Sequence, residues 1–578
     1  MSGRVSGGPS RDADAPTRTT WTRDGIGAIV AVLALGLAFR LIIAQVNPGS
    51  GFQVDLDSFR GWASSLARDG LGGFYERDFF HDYTPGYLYV LYVVGLVGQA
   101  FGGIGDLIKI PPILADIGLG WLVWSMAREL GAGRRSALLG GALVVINPVT
   151  WFDSVLWGQV DSVGVLFLLL GLRELWRDHP ERAAIYTVIA ALIKPQLAIL
   201  GPLVAVVTIR RALRPIIAPT DPVTDPAAAP VAAPALAPDG RRLLDRLRAW
   251  ERQTAHPIRI LTTGVAGFLT AVVLCFPFGL SVLEPGQDGE VFHSGLIEQV
   301  FKTAGGYPYA SVNAYNLWAL AEVGGNGVAV NSGWACDTVI ENPAAGGVQC
   351  PLGVTIGPVP AVFVGAALLV AAFVIVCLFV AWRPTPLSIL VGLTILSIAF
   401  FILPTRVHER YLFPFVALGG ILAAISVRWR VGYLVLSLTM FLNVYVVLTT
   451  LYPNNPGVDD WLGIGSTIRE QSGVTLVALT GLAASLWAFV QLRPAAMTGL
   501  ERELAASADD DPASTWDSSL SADLSATPWP ASFGGSPAGS AMTGSNALDR
   551  PLASAMTGSD ALDRPLAAAE PAPRRSTV

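Results

Sequence analysis

The chain is short of charge. Asp, Glu, Lys and Arg make up 14% of its 578 residues, against about 25% in soluble domains. With 52% apolar residues and a mean hydropathy of +0.52, that shortage excludes an ordinary soluble globular protein. A basic patch interleaved with aromatics is missing and the net charge is −6, so nucleic-acid binding has no support. Cysteine is scarce, with four in all. Cys275 and Cys377 lie in apolar runs and read as inert packing residues. Cys336 and Cys350 share one polar loop, either as a disulfide or as two free thiols. No C-x-x-C pattern suggests a zinc site, and neither a metal nor another cofactor is expected.

What the chain does have is apolar blocks of about 17–25 residues, the length that crosses a bilayer's hydrocarbon core. Spans are expected at 25–45, 107–127, 136–150, 163–177, 183–194, 196–209, 259–280, 355–381, 386–403, 411–427, 431–451 and 474–492. The first lacks an A-x-A-like cleavage site and reads as retained. Arginine clusters follow every second span: Arg128, Arg134 and Arg135; Arg173, Arg177 and Arg182; Arg210 and Arg211; Arg383; Arg428 and Arg430; Arg493. The positive-inside rule puts them, and both termini, in the cytoplasm. One further apolar stretch, 87–103, would invert this parity if it crossed. It opens at Thr84-Pro85, an N-cap followed by proline at N1, and is expected to lie in the outer interface or to dip in and return. The two short spans meeting at "IKPQ" resemble the broken helices that line substrate cavities; one kinked helix is the alternative.

The fold class is therefore all-α, a polytopic bundle of about 12 spans with a juxtamembrane helix in the first outer loop. Five regions follow: 1–24, a disordered cytoplasmic N-terminus; 25–210, a membrane module; 211–258, an Ala/Pro-rich cytoplasmic loop with a basic amphipathic helix; 259–493, further membrane helices with a large outer loop at 281–354; and 494–578, a cytoplasmic tail. The tail holds a tandem repeat, "SAMTGSNALDRPLA" then "SAMTGSDALDRPLA", too polar to build a core and expected to be disordered.

With this topology the unusual polar motifs fall on the outer side. They are "DLDSFR" with Asp55, Asp57 and Arg60; "FFHDYTPG" with His81, Asp82 and Tyr83; "DSVLWGQVDS" with Asp153, Gln159 and Asp161; "IKPQ" with Lys194 and Gln196; "SVNAYNLW" with Asn313 and Asn316; and "PTRVHERY" with Arg406, His408, Glu409 and Arg410. Ionisable groups beside hydrocarbon are expensive and read as functional by default. Each has a plainer reading too. Asp55 and Asp57 can be solvated loop carboxylates, Asp161 a helix N-cap, Lys194 a snorkelling side chain, and Asn313 and Asn316 turn or cap residues. In an extended segment Asp55 and Asp57 would share a side; in a helix Arg60 could pair with Asp57. "RVHER" reads either as an interfacial ion-pair cluster or as an anion clamp, because arginine's planar fork suits phosphate oxygens. Carboxylates on one wall and a phosphate clamp on another suit transfer of a group from a lipid phosphate to a hydroxyl.

In these motifs the chain resembles the GT-C integral-membrane glycosyltransferases, in particular bacterial relatives of the second mannosyltransferase of GPI-anchor synthesis. "WGQVDS", "KPQ", "NAYNLW" and "RVHERYLFP" stand in that order. It is also similar to the dolichyl-phosphate-glucose-dependent glucosyltransferases. Their acidic motif is matched by Asp55, Asp57, Arg60 and Trp62, and their Lys-Gln and His-Glu-Lys motifs by Lys194 with Gln196 and by His408, Glu409 and Arg410. The likeness covers about residues 25–455. It implies a polyprenyl-phosphate hexose donor, mannose favoured, and an acceptor that is a glycan, glycolipid or protein, with the site on the extracytoplasmic face of the cell membrane. Asp55 is the implied general base, with Asp57 as support or substitute. Arg406, His408, Arg410 and Lys194 are the implied donor-phosphate ligands. Arg60, His81, Tyr83, Gln159, Asp161, Gln196, Asn313, Asn316 and Glu409 line the substrate. The rival class is a transporter or flippase, which would show an internal repeat relating two halves; the only repeat found lies in the tail.

Overall fold

The computed structural model describes residues 23–213, 257–286, 291–328, 334–341, 348–452 and 455–509. The basic stretch expected in 211–258 and the tail repeats fall outside these residues. Helix α1 (Arg23–Val46) is followed by α2 (Gln53–Asp69), α3 (Pro85–Ala100), α4 (Ile110–Glu129) and α5 (Arg134–Ile146). A short α6 (Pro148–Trp151) runs into a π-helical turn at Phe152–Trp157. Then come α7 (Asp161–Trp176), α8 (Pro180–Ile193), a 3-10 turn (Pro195–Leu200), α9 (Gly201–Leu213) and α10 (Ile258–Cys275). The later helices are α11 (Gly295–Gly305), α12 (Ala361–Trp382), α13 (Pro386–Ile402), α14 (Phe413–Ile425), α15 (Val427–Val446), α16 (Gly465–Arg469), α17 (Gln471–Val490) and α18 (Pro494–Asp509). Strand is confined to two short antiparallel hairpins among the described residues, Glu284–Pro285 with Phe292–His293 and Thr355–Ile356 with Val359–Pro360.

The chain is a multi-pass membrane protein. Among the described residues eight helical segments are long and apolar enough to cross a bilayer. α13 and α14 are shorter but apolar and buried almost throughout, as a helix surrounded by others must be. α7 packs on α8, α4 and α14. Contacts at the helix ends show the alternation. Arg211, at the end of α9, donates to Leu175 O at 2.9 Å and to Asp178 at 2.8 Å, so α9 returns to the level where α8 began. The "IKPQ" break is thus a there-and-back turn, as the arginines on both flanks require, and not one kinked helix.

α3 does not cross. Its start is held at Lys194's end of α8, where Thr84 Oγ1 donates to Leu192 O at 2.7 Å and Gly86 lies against the Leu192–Ile193 backbone so closely that a Cβ would collide. Just beyond its other end, Asp106 accepts from Gly49 N at 2.8 Å, at the same end of the bundle. Thr84 is the N-cap residue, but its hydroxyl bonds across to α8 and does not cap. The eight segments of crossing length fall on the expected spans 25–45, 107–127, 136–150, 196–209, 259–280, 355–381, 431–451 and 474–492, and α13 and α14 fall on 386–403 and 411–427.

Two expectations need correction. The span at 136–150 extends to Trp157. Asn147 covers the break before Pro148, accepting from Val149 N at 3.0 Å and donating to Tyr433 Oη at 2.8 Å. The tail does not begin at 494, because Met497, Leu500 and Leu504 recur at helical spacing and dock α18 on the bundle. Gly133 N donates to Ser507 O and Arg428 pairs with Glu503 at 2.8 Å.

An ion pair that sequence reading passed over pins the site's scaffold. Arg40, fully buried in α1, donates to Asp116 of α4 at 2.8 Å, to Val145 O at 3.0 Å and to Thr150 Oγ1 at 2.9 Å. Ser154 in the π-helical turn donates to the same Asp116 oxygen at 2.6 Å. Removing one partner of a buried pair strands the other charge, so Arg40→Met is expected to lower stability by about 3–5 kcal/mol. Adding Asp116→Leu should recover most of it, as read by Tm in detergent. A double variant as unstable as the single would show that the pair is not the cause.

Candidate functional site

The site assembles where α2, the π-helical turn, the α8–α9 break and the turn at 403–412 meet. Asp55 lies in the first turn of α2, and one of its oxygens, Oδ2, accepts from Trp157 Nε1 at 3.2 Å and from Gln159 Nε2. Among the described residues nothing donates to Oδ1. Gln159 reaches Asp55 because the π-helical turn ends at Gly158, whose φ of +85° lets the chain reverse where a side chain would be strained. Gly158 N and Gln159 N both donate to Asp153 O.

From Gln159 the network runs deeper. Lys194 Nζ stands 3.3 Å from Gln159 Oε1 and 2.7 Å from Asp161 Oδ2. Lys194 is buried and does not snorkel, held by the break at Pro195; Asp161 opens α7 but spends its carboxylate on Lys194 instead of on a cap. Arg410 Nε is 3.7 Å from the same Asp161 oxygen, and its Nη1 donates to Glu409 Oε1 at 2.6 Å. Its guanidinium lies 5.5 Å from the centre of the Trp157 ring, a cation–π placement. Among the described residues Arg410 Nε and Nη2 make no hydrogen bond, and Nε is buried. Asp153 is buried with neither carboxylate oxygen hydrogen-bonded. Unmatched buried polar atoms ask for an explanation, and the charges of Lys194 and Arg410 both act on Asp153.

The charges are largely pre-paired. Lys194 faces Asp161, and Arg410 faces Glu409. His408 sits between Tyr307 and Tyr411, with ring centres 5.1 and 5.3 Å away. Burial, then the Arg410 and Lys194 cations, hold its imidazole well below the usual histidine range. It is neutral at physiological pH, a hydrogen-bonding group and not a third cation.

Asp82 belongs to the site although only its neighbours His81 and Tyr83 were expected to line substrate. Its carboxyl is pushed up to about 6 by burial and then by the charge of Asp55. Its signal in the sequence was a carboxylate directly after an aromatic run. Trp157 was likewise missed, its role visible only once the π-helical turn brings it between Asp55 and Arg410. Tyr83 packs on Phe59, Trp62 and Tyr87, and its backbone carbonyl accepts from Tyr75 Oη. His81 lies in a nest of Phe74, Tyr75 and Phe79 with Nδ1 lacking a hydrogen-bond partner. Gln196 is half-buried in the turn after Lys194.

Other expected residues are placed elsewhere. Asp57 does not share a side with Asp55, because the segment is helical and positions two apart then diverge by about 200°. Its exposed carboxylate pairs with Arg60 at 2.9 Å. Arg60 also donates to Gln53 and to Gly105 O, tying α2 to the 105–106 turn. Arg406 is committed to buried Asp337 at 2.7 and 3.2 Å, and not to the 408–410 cluster; Thr405 joins the same carboxylate at 2.8 Å. Asn316 caps the turn at Leu317–Leu320 and donates to Phe401 O. Asn313, at a φ of +60°, accepts from Trp334 and donates toward Tyr452. Cys336 and Cys350 form a disulfide beside Asp337. Among the described residues no three of His, Cys, Asp and Glu are grouped to hold a metal ion.

No family model matches the chain, and no curated protein matches it. Among solved structures it is similar to the archaeal oligosaccharyltransferase AglB from Archaeoglobus fulgidus, in complex with an inhibitory peptide and a dolichol-phosphate. The identity is 10% and the TM-score 0.37, over 80% of this chain and 56% of that one. The chain thus spans little more than half of AglB's length.

Proposed function

We propose that the protein is a membrane glycosyltransferase of the GT-C type that moves a hexose from a polyprenyl-phosphate donor to a hydroxyl acceptor. The observation that carries this reading is Asp55 with a free Oδ1 in the same polar network as Arg410 with free Nε and Nη2. Asp55 removes the acceptor's proton. The acceptor oxygen attacks the anomeric carbon from the face opposite the phosphate, and the bond from that carbon to the phosphate oxygen breaks with its electron pair leaving on the lipid phosphate. The new charge falls to Arg410, seconded by Lys194. Such a displacement inverts the anomeric centre. Mannose is the favoured hexose, and the acceptor is a glycan, glycolipid or protein. The arginine clusters lie at the bundle end opposite Asp55, which supports cytoplasmic termini and an extracytoplasmic site. The test is transfer from radiolabelled polyprenyl-phosphate mannose or glucose by purified protein. Transport of the lipid with no transfer would favour the flippase class instead.

Two contrasts sharpen the assignment. Asp57→Asn should leave transfer within about twofold and stability within about 1 kcal/mol, since an exposed pair contributes little. A loss like that expected for Asp55 would restore Asp57 as the base.

Asp82 gives a pH signature. Ionised, it adds a negative charge near Asp55 that favours the positive charge building on the anomeric carbon as the phosphate departs, so transfer should rise with pH through about 6. Asp82→Asn should flatten that limb at its low-pH level. The linkage runs the other way for stability. A carboxyl whose folded pKa is raised holds its proton longer when folded, so stability falls as pH climbs from the unfolded value near 3.8 through about 6. The loss is on the order of 3 kcal/mol. Asp82→Asn should therefore raise Tm at neutral pH while slowing transfer; a pH–rate profile unchanged by the substitution would remove Asp82 from the site.

A further inference from the structure

Helix α11 has three sectors. Gln299 and Thr303 face the protein, Gln299 Nε2 donating to His81 O at 3.2 Å and Thr303 Oγ1 to Asp82 O at 2.7 Å. About 160° away around the axis, Ile297 and Phe301 stand 56% and 71% exposed, with Phe292 of the adjoining hairpin at 65%. Glu298 and Lys302, both exposed, form a charged flank about 100° from each of the other two sectors.

An apolar face of this kind needs an occupant, and its surroundings name one. Along α10 the exposed residues Leu261, Val265, Leu269 and Val273 recur at helical spacing, the pattern of a span facing hydrocarbon. Phe276, 79% exposed, carries that face to the site end of α10. The chain then turns directly into the hairpin and α11, with Leu296 N donating back to Ser281 O at 2.9 Å. The apolar face of α11 thus continues the lipid-facing surface of α10, and its charged flank suits a helix lying in the interface with one side wet.

We propose that α11 is seated in the lipid leaflet beside the site, with Phe292, Ile297 and Phe301 among phospholipid acyl chains and Glu298 and Lys302 toward water. This inference rests on the membrane-spanning reading of α10 and not on the proposed reaction. The test uses the full chain in phosphatidylcholine nanodiscs, carrying Cys275→Ser and Cys377→Ser, with an environment-sensitive fluorophore attached to Phe301→Cys or to Lys302→Cys. Phospholipid bearing a nitroxide near its headgroup should quench the label at 301 several-fold more than at 302, and aqueous iodide should show the reverse order. Equal iodide quenching at both positions, or a label at 301 reached by neither quencher because protein covers it, would overturn the proposal. A variant-free measurement stands beside it. Native protein irradiated with photoactivatable phosphatidylcholine should carry adducts in the 291–301 peptide; adducts on α10 with none there would contradict the seat.

Discussion

Asp55→Asn is expected to reduce sugar transfer by about 10²–10⁴-fold, the contribution of a positioned general base. The substitution is nearly isosteric, and the asparagine oxygen can still accept from Trp157 and Gln159, so the fold and donor binding should survive. The loss should fall on kcat with donor KM little changed, because the proton is taken only as the acceptor attacks. Tm in detergent serves as the control. A variant that is folded, binds donor and still transfers at near the original rate would dismiss Asp55 as the base.

Arg410 carries the second large effect. Its Nε and Nη2 are unspent, and a preorganised donor aimed at developing negative charge contributes about 10²–10³-fold in rate. Arg410→Gln should lose that much. It also strands the buried Glu409 carboxylate, which risks about 3–5 kcal/mol of stability, so Arg410→Lys is the more informative change. Lysine keeps the charge and can still neutralise Glu409, but offers a point charge where arginine offers a planar fork. Transfer should then fall by an intermediate factor while Tm holds. Full activity in Arg410→Lys would mean that only charge matters there; full activity in a folded Arg410→Gln would place the departing phosphate elsewhere.

Much of the fold was legible because bilayer crossing leaves a strong imprint. Apolar blocks located the eight helical segments of crossing length among the described residues, and the shorter α13 and α14. Helix ends were less legible. The break at Asn147-Pro148 is bridged by contacts to Tyr433 and Ser437 nearly three hundred residues away, and such tertiary partners leave no local mark. The same holds for the site. The motifs that converge, around Asp55, Gln159, Asp161, Lys194 and Arg410, were all visible as polar residues beside hydrocarbon. Which member of each motif faces inward was not. Asp57 and Arg406 look as functional as Asp55 and Arg410 in one dimension, and only helical phase and the position of Asp337 separate them. Arg40 and Asp116 were overlooked although each stands within an apolar run, where an ionisable residue is itself a signal.

The central claim is that Asp55 and Arg410 address the two ends of one scissile bond. Its most direct measurement is the structure of the protein bound to a non-hydrolysable polyprenyl-phosphate sugar analogue in a lipid nanodisc. The account predicts the phosphate within hydrogen-bonding distance of Arg410 Nε or Nη2, and the sugar's anomeric carbon turned toward Asp55 with room for an acceptor oxygen at Oδ1. A lipid phosphate bound at the opposite, arginine-rich end of the bundle, with the Asp55–Arg410 network untouched, would contradict it.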